Sequence, residues 1–79
     1  MSNLEIYNKI FCQHFRKAEE ELSGLKYRGF SLWDSIGHME LMAELEETFD
    51  IHMETRDILD FTSYEKGKEI LKEYGVIVE

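Results

Sequence analysis

The chain opens with an apolar stripe at steps of three and four: Leu4, Tyr7, Phe11, Phe15, Ala18 and Leu22. That spacing lines up one face of an α-helix and predicts a first helix over residues 3–21. Ser2 followed three residues later by Glu5 reads as a capping box, in which each side chain satisfies an otherwise free amide. Gly24 lies just past the predicted end, and the helical period is then lost. Residues 23–34 carry Gly24, Gly29 and the scattered aromatics Tyr27, Phe30 and Trp33. This is a long loop with its own apolar anchors, expected to pack over the core.

The period returns over residues 35–50, where Leu41, Met42, Leu45 and Phe49 gather on one side within roughly 100° of arc. The opposite side carries Ile36, Glu40, Ala43, Glu44 and Glu47, a face both acidic and dotted with small or apolar residues. Thr55 is the expected cap of a short third helix to about residue 60, with Ile58, Leu59 and Phe61 as its apolar residues. Thr62-Ser63-Tyr64-Glu65 reads as a second capping box that opens a fourth helix to about residue 74. Its inner stripe is Tyr64, Gly67, Ile70, Leu71 and Tyr74, with Gly67 as the place where a neighbouring helix can come close. Gly75 ends it, and Val76-Ile77-Val78 is expected to trail off. There is no proline, no internal repeat and no paired strand pattern. The expectation is an all-α, four-helix bundle with a long loop between helices one and two and a short third helix, residues 1–79 forming one domain.

Composition narrows the function. A chain of 79 residues leaves much of its surface in water and has little room for a deep cleft. Its 43% hydrophobic and 13% aromatic content suits one core rather than a disordered chain. The formal charge is −8, and residues 34–60 hold nine acids against the single base Arg56. Such a surface repels nucleic acid and anionic membranes and favours a basic partner. The one cysteine, Cys12, cannot form an intrachain disulfide, and no paired Cys or His spacing suggests zinc. The first residues lack the signal-peptide pattern, and no apolar run nears the ~20 residues of a membrane span. A cytoplasmic monomer is expected.

The sharpest local feature is Trp33-Asp34-Ser35-Ile36, where the loop meets the acidic second helix. With Asp34 as the N-cap, its carboxylate takes the first free amides and leaves the Ser35 hydroxyl unengaged at the first helical position. An outward-facing serine there has the positive end of the helix dipole beside it, a favourable seat for a phosphate diester.

The run from Asp34-Ser35-Ile36-Gly37-His38-Met39-Glu40-Leu41 to Leu45-Glu46-Glu47-Thr48-Phe49 closely resembles the acyl carrier protein family. In that family an Asp-Ser-Leu motif opens an acidic helix that closes in Leu-Glu-Glu-x-Phe, and the likeness extends over essentially the whole chain. It implies a carrier rather than an enzyme. A phosphopantetheinyl transferase would place 4′-phosphopantetheine from coenzyme A on Ser35, and the thiol of that arm would hold acyl groups as thioesters. The resemblance also implies that Asp34, Ile36, Met39, Glu40, Ala43, Glu44 and Glu47 meet acyl-loading and acyl-transfer enzymes through basic docking surfaces. Gly37, Trp33 and His38 depart from the commonest pattern and resemble specialised free-standing carriers more than the housekeeping fatty-acid carrier. Fatty-acid, polyketide and other secondary-metabolite pathways all fit.

Plainer readings exist for each feature. Serine is a favoured helix cap for structural reasons alone, and most charge runs are solvated faces. An unmodified helical interaction module with the same fold is the alternative from another class, and an aminoacyl or peptidyl carrier is a variant within the same class. No Gly-x-Ser-x-Gly elbow surrounds Ser35, and His38 is expected to face the core, so a hydrolase nucleophile is disfavoured. Cys12 reads as a small apolar filler, and Met39, Met42 and Met53 are candidates for lining a malleable cavity.

Overall fold

The computed structural model describes residues 1–79 and is all-helical, with α1 (Asn3–Phe15), α2 (Ser35–Phe49), α3 (Thr55–Asp60) and α4 (Tyr64–Glu73) in chain order. No helix is long and apolar enough to cross a membrane. α1 starts as expected: the Ser2 hydroxyl accepts the Glu5 amide and the Glu5 carboxylate accepts the Ser2 amide. That second bond holds the Glu5 carboxyl below its usual range.

The first helix ends earlier than the apolar stripe predicts. Arg16 adopts the left-handed conformation at φ 56°, and the chain re-enters as a single 3-10 turn over Glu19–Glu21. Three consecutive glutamates at the negative end of the helix dipole would repel it and one another, so breaking the helix before them relieves both conflicts. The Ala18 amide is then taken by the Glu21 carboxylate at 2.9 Å. Leu22 still reaches the core, but from this turn, and Ala18 lies in solvent.

The core is a cluster of 15 buried residues from Tyr7 to Val76, and its centre is aromatic. Trp33, Tyr7, Phe11, Phe15 and Phe61 are all fully covered. The Trp33 ring stacks on Phe15 at 5.0 Å between centroids and meets Phe11 edge-on at 5.7 Å, arrangements that satisfy the ring quadrupoles. α2 contributes Leu41, Met42 and Leu45 as predicted, with Phe49 only partly covered. Gly67 is buried where a Cβ would stand closer than 3.0 Å to both the Phe61 ring and the Tyr7 hydroxyl. The bare backbone there lets Tyr7 of α1 donate to the Tyr64 carbonyl of α4 at 2.8 Å.

Three further expectations change. Glu54 rather than Thr55 occupies the cap position of α3, without a side-chain cap bond. Its amide is taken by the Tyr74 hydroxyl at 2.9 Å, and that hydroxyl in turn donates to Asp57. At α4 the cap is Ser63, accepting the Lys66 amide at 2.9 Å, one residue later than the Thr62–Glu65 box predicts. Thr62 instead gives its carbonyl to the Tyr27 amide, and Glu65 accepts from the Gly24 amide. The loop is thus pinned to α4 through one isolated antiparallel bridge, Lys26 to Ser63. The C-terminal tail does not trail free either, since Val76 is buried and the Ile77 carbonyl accepts from Asn3 at 3.0 Å.

Candidate functional site

Asp34 is the N-cap of α2 with extended backbone, and its Oδ1 accepts the Gly37 amide at 2.8 Å. With the cap supplied by its neighbour, Ser35 is the first residue of the helix, exposed, and its hydroxyl is not used by any backbone amide. Gly37 is buried against the loop. A Cβ on it would stand closer than 3.0 Å to the Leu32 carbonyl oxygen, a backbone atom that cannot rotate aside. This position of α2 therefore has no room for a side chain.

Beneath the serine, a buried polar relay ties three elements together. The Trp33 indole N–H donates to His38 Nδ1 at 3.0 Å, and His38 Nε2 lies 2.7 Å from the Ile58 carbonyl. Indole is only a donor and a carbonyl only an acceptor, so Nδ1 accepts and Nε2 carries the proton. Both ring nitrogens are committed, and the ring is buried on the core side of α2. His38 has no free nitrogen to offer Ser35.

On the outer side, two loop residues converge on the hydroxyl. The Tyr27 hydroxyl lies 3.4 Å and an Arg28 Nη 3.5 Å from Ser35 Oγ. The guanidinium sits over the Tyr27 ring at 5.4 Å from its centroid. The Ser35 contact, then the Arg28 cation, hold the Tyr27 phenol below its usual range. Arg28 has φ 62°, a conformation disfavoured for a residue with a Cβ, and its amide is fixed to the Trp33 carbonyl at 2.8 Å. Neither residue stands out in sequence as a site residue. Tyr27 reads as a loop anchor, and a left-handed turn at Arg28 leaves no periodic signal.

The other residues singled out by sequence share one face. Ile36, Met39, Glu40, Ala43, Glu44 and Glu47 are all exposed along α2, with Ile36 72% and Met39 54% exposed. Leu59 of α3 is also 72% exposed. No lysine or arginine pairs with these glutamates. The one ion-pair contact in the chain is His52 with Glu46 at 3.8 Å, and Glu44 is engaged only by Thr48. The face therefore keeps its full negative charge, with apolar side chains set into it.

Elsewhere the chemistry is quiet. No group of three or more His, Cys, Asp or Glu side chains stands close enough to hold a metal ion. Burial, then the glutamates of the 3-10 turn, push the Cys12 thiol up. Met42 and Met53 are packed in the core and Met39 is in solvent, so the methionines line no cavity together. The one cavity, of about 210 Å³, lies between the end of α4 and the tail, at Lys68, Lys72 and Ile77. Comparison with protein-family models, with curated proteins and with solved structures finds no match to this chain.

Proposed function

We propose that this chain is a free-standing carrier protein, modified on Ser35 by 4′-phosphopantetheine and presenting acyl groups as thioesters to partner enzymes. The observation that carries the reading is the exposed Ser35 hydroxyl on the first turn of α2, left free because Asp34 performs the cap. The residues fit the group: Ser35 is exposed and its Oγ meets only the long contacts of Tyr27 and Arg28, so no core side chain has to move for a transferase to reach it. In that transfer Ser35 Oγ forms the new P–O bond to the pantetheine-bearing phosphorus of coenzyme A. The pyrophosphate P–O bond breaks, adenosine 3′,5′-bisphosphate leaves, and the hydroxyl proton passes to a base of the transferase. Once attached, the arm supplies a thiol whose thioester carbonyl stays electrophilic and is delivered at high effective concentration.

The chain's own part is positioning and recognition. Asp34 and buried Gly37 fix the first turn of α2, and the Trp33–His38–Ile58 relay anchors that turn to the loop and to α3. The unpaired glutamates Glu40, Glu44 and Glu47, with exposed Ile36, Met39 and Ala43, form a docking face for basic partners. Electrostatic attraction of this kind speeds encounter and suits a protein that visits several enzymes. Treatment with a broad-specificity phosphopantetheinyl transferase and coenzyme A is expected to add one arm to the intact mass, and Ser35→Ala to abolish the gain. An unchanged wild-type mass would reject the carrier reading and leave an unmodified interaction module.

A further inference from the structure

We propose that Arg28 and Tyr27 form a phosphate seat that grips the diester on Ser35 and fixes the base of the arm against the loop. The proposal rests on the reading of Ser35 as the attachment point. Its geometric basis is the convergence of a guanidinium at 3.5 Å and a phenol at 3.4 Å on one Oγ. Both contacts are longer than the roughly 2.7–2.9 Å of a charge-assisted hydrogen bond, so in the bare protein they hold the serine only loosely. A phosphate on Oγ projects its non-bridging oxygens about one tetrahedral edge beyond that atom. Donors that stand just too far from Oγ then come within hydrogen-bonding reach of the phosphate, without a shift of backbone.

The two donors are also held in place beforehand. The Arg28 amide, in its left-handed turn, donates a hydrogen bond to the Trp33 carbonyl, and Trp33 is fully buried. The guanidinium rests on the Tyr27 ring, and the Tyr27 backbone is bound to Thr62. The local charge makes the seat selective. Glu40, Glu44 and Glu47 leave α2 strongly negative, and Arg28 provides a cation at the point where the diester adds another negative charge. The nearest acid, Asp34, has one carboxylate oxygen already committed to Gly37. Arg28 and Tyr27 are positioning residues: they set where the arm leaves the protein and take no part in bond making.

The test uses ³¹P NMR on wild type, Arg28→Gln, Arg28→Gly and Tyr27→Phe, each converted to the arm-bearing form and verified by intact mass. Glycine suits a left-handed turn better than arginine does, so Arg28→Gly removes the cation while relieving the backbone. The expected result is a wild-type diester resonance displaced from that of the same protein in urea. Both Arg28 variants should lose most of that displacement and Tyr27→Phe part of it. The Arg28 Nε–H resonance should also move between the bare and modified wild type, and the shift should shrink as salt is raised. Modification of the wild type with coincident ³¹P resonances in wild type and both Arg28 variants overturns the seat alone. Failure of the wild type to gain the arm overturns the seat together with the carrier reading.

Discussion

The aromatic interior and the Ser35 corner are built to opposite specifications within a few residues of each other. Inside, every ring is covered, every buried side-chain polar atom has a partner, and Trp33 is held by stacking and by His38 at once. At the corner, the serine is exposed and its contacts are long. Three of the four tyrosines report the same divide. Burial pushes the Tyr7 and Tyr64 phenols up, whereas Tyr27 is drawn down by Ser35 and Arg28. An exposed hydroxyl can be left loosely held when the turn beneath it is over-determined.

Truncating the interior should have the largest effect. Trp33→Ala removes the central ring and leaves His38 Nδ1 without its donor, and should cost about 3–5 kcal/mol, read from the urea midpoint. If the loss stayed below about 1 kcal/mol, the aromatic cluster would not be what holds the fold. His38→Ala leaves the buried indole N–H and the Ile58 carbonyl unpartnered, which should cost about 2–4 kcal/mol. Because one relay links the two residues, the double variant should lose less than the sum of the single losses.

Tyr7→Phe removes the donor to the Tyr64 carbonyl and should cost about 1–2 kcal/mol near neutral pH. It should also flatten the alkaline limb of the stability profile. Tyr7 is shifted up by burial and then by Tyr64, so the folded chain holds that proton after the unfolded chain, near pH 10, has begun to release it. The unfolded state then binds fewer protons, and stability falls as pH rises. The contribution is full below about pH 10 and disappears as pH climbs toward the folded-state value. Unfolding midpoints across pH 8–11 should drop more steeply for wild type than for Tyr7→Phe; parallel curves would show that this phenol is not responsible. Ser35→Ala, at the other extreme, should change stability by no more than about 0.5 kcal/mol while removing all mass gain with the transferase. A large loss of stability would mean that the hydroxyl is structural and would close the gap between the two regions.

Sequence pattern carried the architecture well where one periodicity governed. α2 begins at Ser35 behind an Asp34 cap and buries Leu41, Met42 and Leu45, all visible from spacing and cap chemistry. α1 was overextended because apolar spacing at Ala18 and Leu22 continues past the point where Glu19, Glu20 and Glu21 make a helix electrostatically poor. The α4 cap moved by one residue because Thr62 and Glu65 are used by the loop, a long-range demand that local motifs do not contain. For the site, the exposed serine and the acidic face were legible. Tyr27 and Arg28 were not, because their approach depends on a left-handed turn and on a bridge to residues some thirty-five positions away.

Trp33 is the only tryptophan in the chain, sits two residues before Ser35 and donates its N–H to a histidine ring. The molecule thus carries its single tryptophan next to its proposed point of modification, where it can be excited apart from the four tyrosines. Emission wavelength and quenching should follow both unfolding and any rearrangement of the first turn of α2, so an unlabelled sample is enough to watch that corner change.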